Sequence, residues 1–198
     1  MALGYACPHL GIGTSTAALW QRDWLGYRGH SGSLRLDLAR PTASDLEGLH
    51  DICIDPQVWT HFPSLRHDDI DARLAMLHTR QQKWDRDGLG TWRVRVRDSS
   101  PIIGYGCCSL RGGQMFWNLG YRFATDAQGP GYTTELTQEA VRHAHRREAD
   151  IPVAAPLLEH NTGSVKVAVK VGLRLRHRVP DTGNPDPDAI RLGYTDRP

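Results

Sequence analysis

The sequence predicts a mixed α+β domain, a central sheet flanked by helices. Three observations carry that prediction. From Ser33 onward the hydrophobic period switches repeatedly between two and about 3.6 residues, the signatures of strands and helices. A strand, a glycine-rich turn and a long helix follow one another between residues 114 and 147. The composition, 39% hydrophobic and 23% charged over 198 residues with 20 Gly and 12 Pro, is that of an ordinary globular chain. A chain of this length buries roughly 70% of the surface exposed by its unfolded form, so its core needs no disulfide or structural metal.

Each element has its own warrant. Leu34, Leu36 and Leu38 alternate with Arg35 and Asp37 in a short strand ended by Pro41. Thr42 caps a helix that carries Leu46, Leu49 and Ile52 on one face. Ile70, Leu74, Leu77, Gln81 and Trp84 recur at three- and four-residue spacing, which predicts a second helix over 67–86. Trp92, Val94 and Val96 alternate with Arg93, Arg95 and Arg97, a half-buried strand joined through a hairpin at 98–101 to another strand, 102–110. Met115, Trp117, Leu119 and Tyr121 mark a third strand, 114–123, and the helix after the glycine turn runs to about Arg147. Residues 151–158 are apolar enough for a central strand, 162–171 form a helix, and 173–179 pairs with 189–195 around a loop rich in Pro and Asp. Residues 1–32, rich in Gly, Ser and Thr, have no core period and are expected to be an irregular extension of a domain spanning 33–198.

Charge narrows the function classes. The 24 Lys+Arg and 22 Asp+Glu leave a net +2 with the signs interspersed, which argues against dedicated nucleic-acid binding. The densest basic cluster, Arg142 to Arg147, reads as the solvated face of a helix. Cys7, Cys53, Cys107 and Cys108 form no CxxC and are expected to be reduced packing residues, with Cys107 and Cys108 on opposite faces of a strand. The start of the chain has no basic residue or apolar run of a secretory signal, and no stretch approaches the roughly 20 apolar residues of a membrane span, so a cytoplasmic location is expected. His143 and His145 lie about 200° apart on a helix, and His67-Asp68-Asp69 has no spaced partner, so no metal is expected.

The glycine turn carries the chemistry. Between a strand and a helix it presents backbone N–H groups at the positive end of the helix dipole, where a phosphate can be held. The P-loop pattern fails because Tyr132-Thr133-Thr134 follow Gly131 in place of Lys-Ser/Thr, and the dinucleotide fingerprint lacks its third glycine.

Gln128-Gly-Pro-Gly131-Tyr-Thr133-Thr-Glu135, preceded by Trp117-Asn-Leu-Gly-Tyr-Arg-Phe, resembles the acyl-CoA signature of the GNAT N-acetyltransferase superfamily, in its ribosomal-protein-alanine acetyltransferase branch. A second block, Asn161-Thr-Gly-Ser164 through Lys170-Val-Gly172-Leu173, is similar to that branch's Asn-x-x-Ser…Lys-x-Gly-Phe, and Trp84, Trp92 and Ile103-Gly104 also stand where the branch has them. The resemblance spans about 33–195. It implies a mixed, mostly antiparallel sheet splayed between strands 114–123 and 151–158, with the pantetheine of acetyl-CoA (CoA) inserting there like an extra strand. It also implies direct attack of a neutral primary amine, at a protein N-terminus or on a small molecule such as an antibiotic or polyamine, on the thioester.

Roles follow residue by residue from that resemblance. Tyr121 to Phe123 supply a backbone oxyanion donor, Phe123, Ala124 and Thr125 the pantetheine contacts, and Gln128, Gly129, Pro130, Gly131, Tyr132, Thr133 and Thr134 the pyrophosphate site. Asn161 either orients pantetheine or caps a helix. Ser164 either protonates the departing thiolate or is a first-turn cap, and Glu135 is either a general base or a helix-lining residue. Three departures stand out: Pro130 lacks an N–H, Thr133 replaces a small residue, and Ala168 stands where many relatives carry a catalytic tyrosine. They leave a catalytically silent acyl-CoA-binding module as the alternative. The acceptor side is expected near 55–71 and 180–188, where Asp55, Asp68, Asp69, Asp71, Asp181, Asp186 and Asp188 form either an acidic rim for a cationic amine or ordinary solvated loops, with Trp59 and Phe62 as walls. The protein is expected to be a monomer or homodimer.

Overall fold

The computed structural model describes residues 35–63, 66, 69–110, 115–182 and 184–197, so the expected extension at 1–32 lies outside the described residues. In chain order these form β1 (Leu36–Ala39), α1 (Leu46–Ile54), α2 (Ile70–Asp87), β2 (Trp92–Val96), β3 (Ile102–Leu110), β4 (Trp117–Phe123), α3 (Tyr132–Arg147), β5 (Val153–Leu158), α4 (Thr162–Lys170), β6 (Arg174–Pro180) and β7 (Ile190–Thr195). The strands make one sheet in the order β1-β2-β3-β4-β5-β7-β6. Every neighbouring pair is antiparallel except β4 and β5, which run parallel. The expected α+β class and the splay both stand: β4 and β5 pair only through Trp117↔Val153 and Asn118↔Ala154.

Strand periodicity sorts the sheet into two faces. Leu36, Val94, Cys108, Trp117, Leu119 and Phe123 lie on one face, under Leu136, Ala140 and Ala144 of α3. Tyr105 lies on the other, with Leu49, Ile52 and Cys53 of α1 and Leu77 of α2. Trp117 is completely buried, so the anchor of β4 sits in the main core just where its pairing with β5 begins. Cys53, Cys107 and Cys108 are free and buried, and no helix among the described residues is long and apolar enough to cross a membrane.

Several boundaries differ from the sequence reading, each for a local reason. A single 3-10 turn, Ala43–Asp45, precedes α1 because the Asp45 carboxylate accepts from the Thr42 amide at 2.8 Å, and Arg95 donates to the same carboxylate at 3.0 Å. Helix α2 starts at Ile70 because the Asp69 carboxylate caps it, accepting from the Asp71 amide at 2.8 Å. Its inward stripe is also rotated: Ile70 is exposed, while Arg73, Leu77 and Trp84 are buried. Strand β4 begins at Trp117, leaving Met115 exposed. The final hairpin folds with β7 inside, between β5 and β6, and the outer strand β6 carries Arg174, Arg176 and Arg178, charges that discourage pairing at an open edge.

Candidate active site

The site begins with unspent backbone groups on β4. The Trp117 amide donates toward β5, to the Pro152 carbonyl at 2.8 Å, whereas the Ala124 amide donates toward β3, to the Ile103 carbonyl at 2.9 Å. Amide direction alternates along a strand, so Leu119, Tyr121 and Phe123 point their N–H groups to the same side as Trp117. Beyond Asn118 no strand among the described residues pairs with β4 on that side. The amides of Tyr121 and Phe123 therefore open into the gap, whereas that of Ala124 is spent on β3. On the opposite wall, alternation aims residue 156 at the gap, since the Val153 carbonyl accepts from the β7 side, from the Asp196 amide at 3.2 Å. That residue is Pro156, whose missing N–H removes no ladder bond there.

Glycines close β3 onto β4. A Cβ on Gly106 would stand 2.6 Å from the Tyr121 Cβ, and one on Gly104 would stand 2.7 Å from the Phe123 ring, so the Phe123 ring lies directly over β3 and the base of the Tyr121 side chain packs against Gly106.

The gap leads to the glycine turn. Gly129 and Gly131 have φ of 102° and 88°, a region that other residues adopt only with strain, and a Cβ on Gly129 would meet nothing within 4 Å. Gly131 caps α3 without a side-chain cap bond, so the first-turn amides of Tyr132, Thr133 and Thr134 have no intrahelical acceptor. Gln128 spends its amide on the Thr125 carbonyl at 3.3 Å, and Thr125 donates its hydroxyl to Asp55 at 2.9 Å, which ties the turn to the segment after α1.

Arg35 holds the turn from the other side. Its backbone N–H donates to Glu135 Oε1 at 2.8 Å, its Nε to Glu135 Oε2 at 2.7 Å and its Nη1 to the Pro130 carbonyl at 2.9 Å, and its guanidinium carbon lies 4.9 Å from the centroid of the Tyr132 ring. Both oxygens of Glu135 are thus engaged by one arginine, a geometry that fixes the turn.

On the far wall, Asn161 caps α4, its carboxamide oxygen accepting from the Ser164 amide at 3.0 Å. Burial pushes the Tyr121 phenol up from its ordinary pKa, and the Ser164 hydroxyl beside it pulls it back. The two hydroxyls are therefore neighbours, one from β4 and one from α4. Ala168, one turn after Ser164, is buried.

The segment after α1 roofs this region. Arg122 of β4 stacks on Trp59, its guanidinium carbon 3.4 Å from a ring centroid, and donates to the Val58 carbonyl at 3.0 Å. His61 lies 5.4 Å from His160, centroid to centroid, and burial together with His160 lowers its pKa. Four of the seven aspartates expected near the acceptor side are engaged locally. Asp55 accepts from Gln57 and Thr125, Asp69 caps α2, Asp181 pairs with Arg191 and Asp186 accepts from the Asp188 amide, while Asp68 lies outside the described residues. Sequence reasoning missed Arg35, Arg80, Arg122, His61 and His160. A signal existed for Arg80, which shares with Leu77 and Trp84 the three- and four-residue spacing of the inward stripe.

A family model described as an acetyltransferase (GNAT) domain matches residues 35–174. Among solved structures, a GNAT-family acetyltransferase from Bacillus anthracis is 16% identical, with a TM-score of 0.71 over 82% of this chain and 95% of that one. An acetyltransferase from Salmonella typhimurium that modifies the N-terminal serine of ribosomal protein L7/L12 is 15% identical, with a TM-score of 0.69 over 82% and 95%. The acetyltransferase yncA of the same organism, solved with acetyl-CoA, is 17% identical, with a TM-score of 0.62 over 81% and 91%. At these identities the likeness is one of fold. No curated protein sequence matches.

Proposed function

Because this chain belongs to the GNAT acetyltransferase family, we propose that it moves an acetyl group from acetyl-CoA to the primary amine of a peptide N-terminus or small molecule. The observation that carries this reading is the continuity of the gap: amides of Tyr121 and Phe123 face an unpaired stretch of β4 that runs into the glycine turn and the N-terminus of α3. Acetyl-CoA supplies an activated acetyl thioester. The exposed β4 amides suit the carbonyl and pantetheine amides of such a ligand, and the turn from Gln128 to Thr134 suits its pyrophosphate.

Each residue then has a task. The Tyr121 and Phe123 N–H groups donate to a carbonyl oxygen as it gains negative charge. Ser164 donates the proton that the leaving sulfur requires and is made whole by the proton that the attacking nitrogen sheds as the amide forms, while Tyr121, whose phenol burial holds neutral, stands beside it. Asn161 holds Ser164 in place through the cap. Glu135 acts as a positioning residue through Arg35 rather than as the base. An α-amino group, with an ordinary pKa near 8, keeps a usable neutral fraction without a dedicated base.

Thiol release from acetyl-CoA, measured across peptides, polyamines and aminoglycosides, tests the proposal. Amine-dependent release is expected. A melting temperature that rises with acetyl-CoA while no amine is turned over would instead establish the silent binding module, the reading to which Pro130, Thr133 and Ala168 point.

A further inference from the structure

A cavity of about 310 Å³ opens on the α1/α2 face of the sheet, against the same stretch of β4 that borders the gap. Arg80 and Arg122 line it, together with Trp59, Tyr105, Asn118 and Met76, and no carboxylate is among its lining residues. Each guanidinium is laid on an aromatic face: Arg122 on Trp59 at 3.4 Å and Arg80 on Tyr105 at 4.2 Å. Both charges act on the Tyr105 phenol, opposing the rise that its burial causes, which places them on one wall of one cavity. Such stacking fixes the plane of a guanidinium and directs its edge N–H groups outward, one of which, on Arg122, is spent on the Val58 carbonyl.

Nothing among the described residues neutralises this pair. Neither arginine forms a salt bridge, and the nearby aspartates are spent elsewhere, Asp55 on Gln57 and Thr125 and Asp69 on the cap of α2. Two like charges in a cleft with low-dielectric walls repel each other and concentrate a field that attracts an anion. The Asn118 Oδ1 is also buried without a hydrogen-bond partner, an acceptor that suits an N–H of the amine-bearing ligand rather than its anion.

Gly120, on the stretch of β4 that borders the gap, lines the cavity, and a Cβ placed on it would meet only the Asn118 side chain, at 3.8 Å, so β4 puts no side chain into the cavity at that position. We propose that this cavity selects the acceptor, taking an amine that also carries a carboxylate or phosphate, with the anion on Arg80 and Arg122 and the amine directed past Gly120 toward the gap. The inference rests on the acetyltransferase reading for the amine and on the cavity alone for the anion. It disfavours polyamines and aminoglycosides, whose added positive charge would meet two arginines.

The test uses the full chain, saturating acetyl-CoA and acceptors matched except for charge: tripeptide amides headed by glutamate, glutamine or lysine, and ethanolamine phosphate against ethanolamine. The anionic member of a pair is expected to have the higher kcat/KM by roughly tenfold or more, the scale of one charge-assisted hydrogen bond, and the winning pair distinguishes carboxylate from phosphate. Arg80→Glu is expected to reverse the order of the glutamate- and lysine-headed peptides while the acetyl-CoA melting shift persists. Calorimetric titration of the acetylated glutamate- and lysine-headed peptides and of N-acetylethanolamine phosphate reads anion binding independently of turnover. Binding of an anionic product that Arg80→Ala abolishes, without acetylation of any amine, would sustain the cavity and sink the transferase. Equal affinity for all products, binding indifferent to Arg80→Ala, or a preference for lysine over glutamate would overturn the inference.

Discussion

The two sides of the sheet build their halves of the site from different materials. The gap and glycine turn present backbone: amides of Tyr121 and Phe123, two glycines at positive φ and the first turn of α3. The cavity on the other side presents side chains, Arg80 and Arg122 on their aromatic supports. A backbone site depends on conformation and is written in a short run of sequence, so it tolerates exchange of most side chains around it. A side-chain site can change its charge with one substitution and leave the fold intact, which suits the half that chooses an acceptor.

That difference predicts where substitutions act hardest. Gly131→Val should have the largest effect, because φ of 88° is strained for a β-branched residue, although a Cβ there would make only ordinary contact with Arg35 Nη2, at 3.6 Å. The melting shift produced by acetyl-CoA should disappear. A shift that survives would move the pyrophosphate away from the turn and break the backbone account of that half.

The contrast also explains what was legible in the sequence. Strand, turn and helix around Gly129 and Gly131 are contiguous, and their residue types state their conformations. Pro156 carried a further hint, since a proline within an apolar run marks an unpaired side of a strand, here the wall of the gap. The arginine cavity was not legible because Arg80 and Arg122 come from separate elements: Arg80 shares the inward spacing of its helix, but nothing in either segment brings the two arginines together. The stripe on α2 was assigned to Ile70, Leu74, Leu77, Gln81 and Trp84, whereas the folded helix buries Arg73 with Leu77 and Trp84. For the aspartates, the local caps and ties at Asp55, Asp69 and Asp186 fit the second of the two sequence readings, ordinary loop residues.

Ser164 stands where the halves meet, and its substitution should have the next largest effect. If its hydroxyl protonates the leaving thiolate, Ser164→Ala should lower turnover by about 10²–10⁴-fold, the range of a positioned acid, with little change in acetyl-CoA affinity. The cap itself is made by the Ser164 amide, which alanine retains, so melting should move little. Near-wild-type turnover would leave Ser164 as a structural residue of α4.

The smallest effect is expected from removing residues 1–32. We propose that the domain begins at residue 33, because the first 32 residues have no hydrophobic period and the family model matches from residue 35. Arg35, whose backbone and side chain both hold Glu135, would remain, so the tie on the glycine turn survives the truncation. The cavity arginines and their aromatic supports also lie within the retained chain. The shortened protein should therefore keep its acetyl-CoA melting shift and its ranking of acceptors. Loss of the shift alone would assign the missing residues to the cofactor half, loss of the ranking alone would assign them to the acceptor half, and failure to fold would refute the domain boundary.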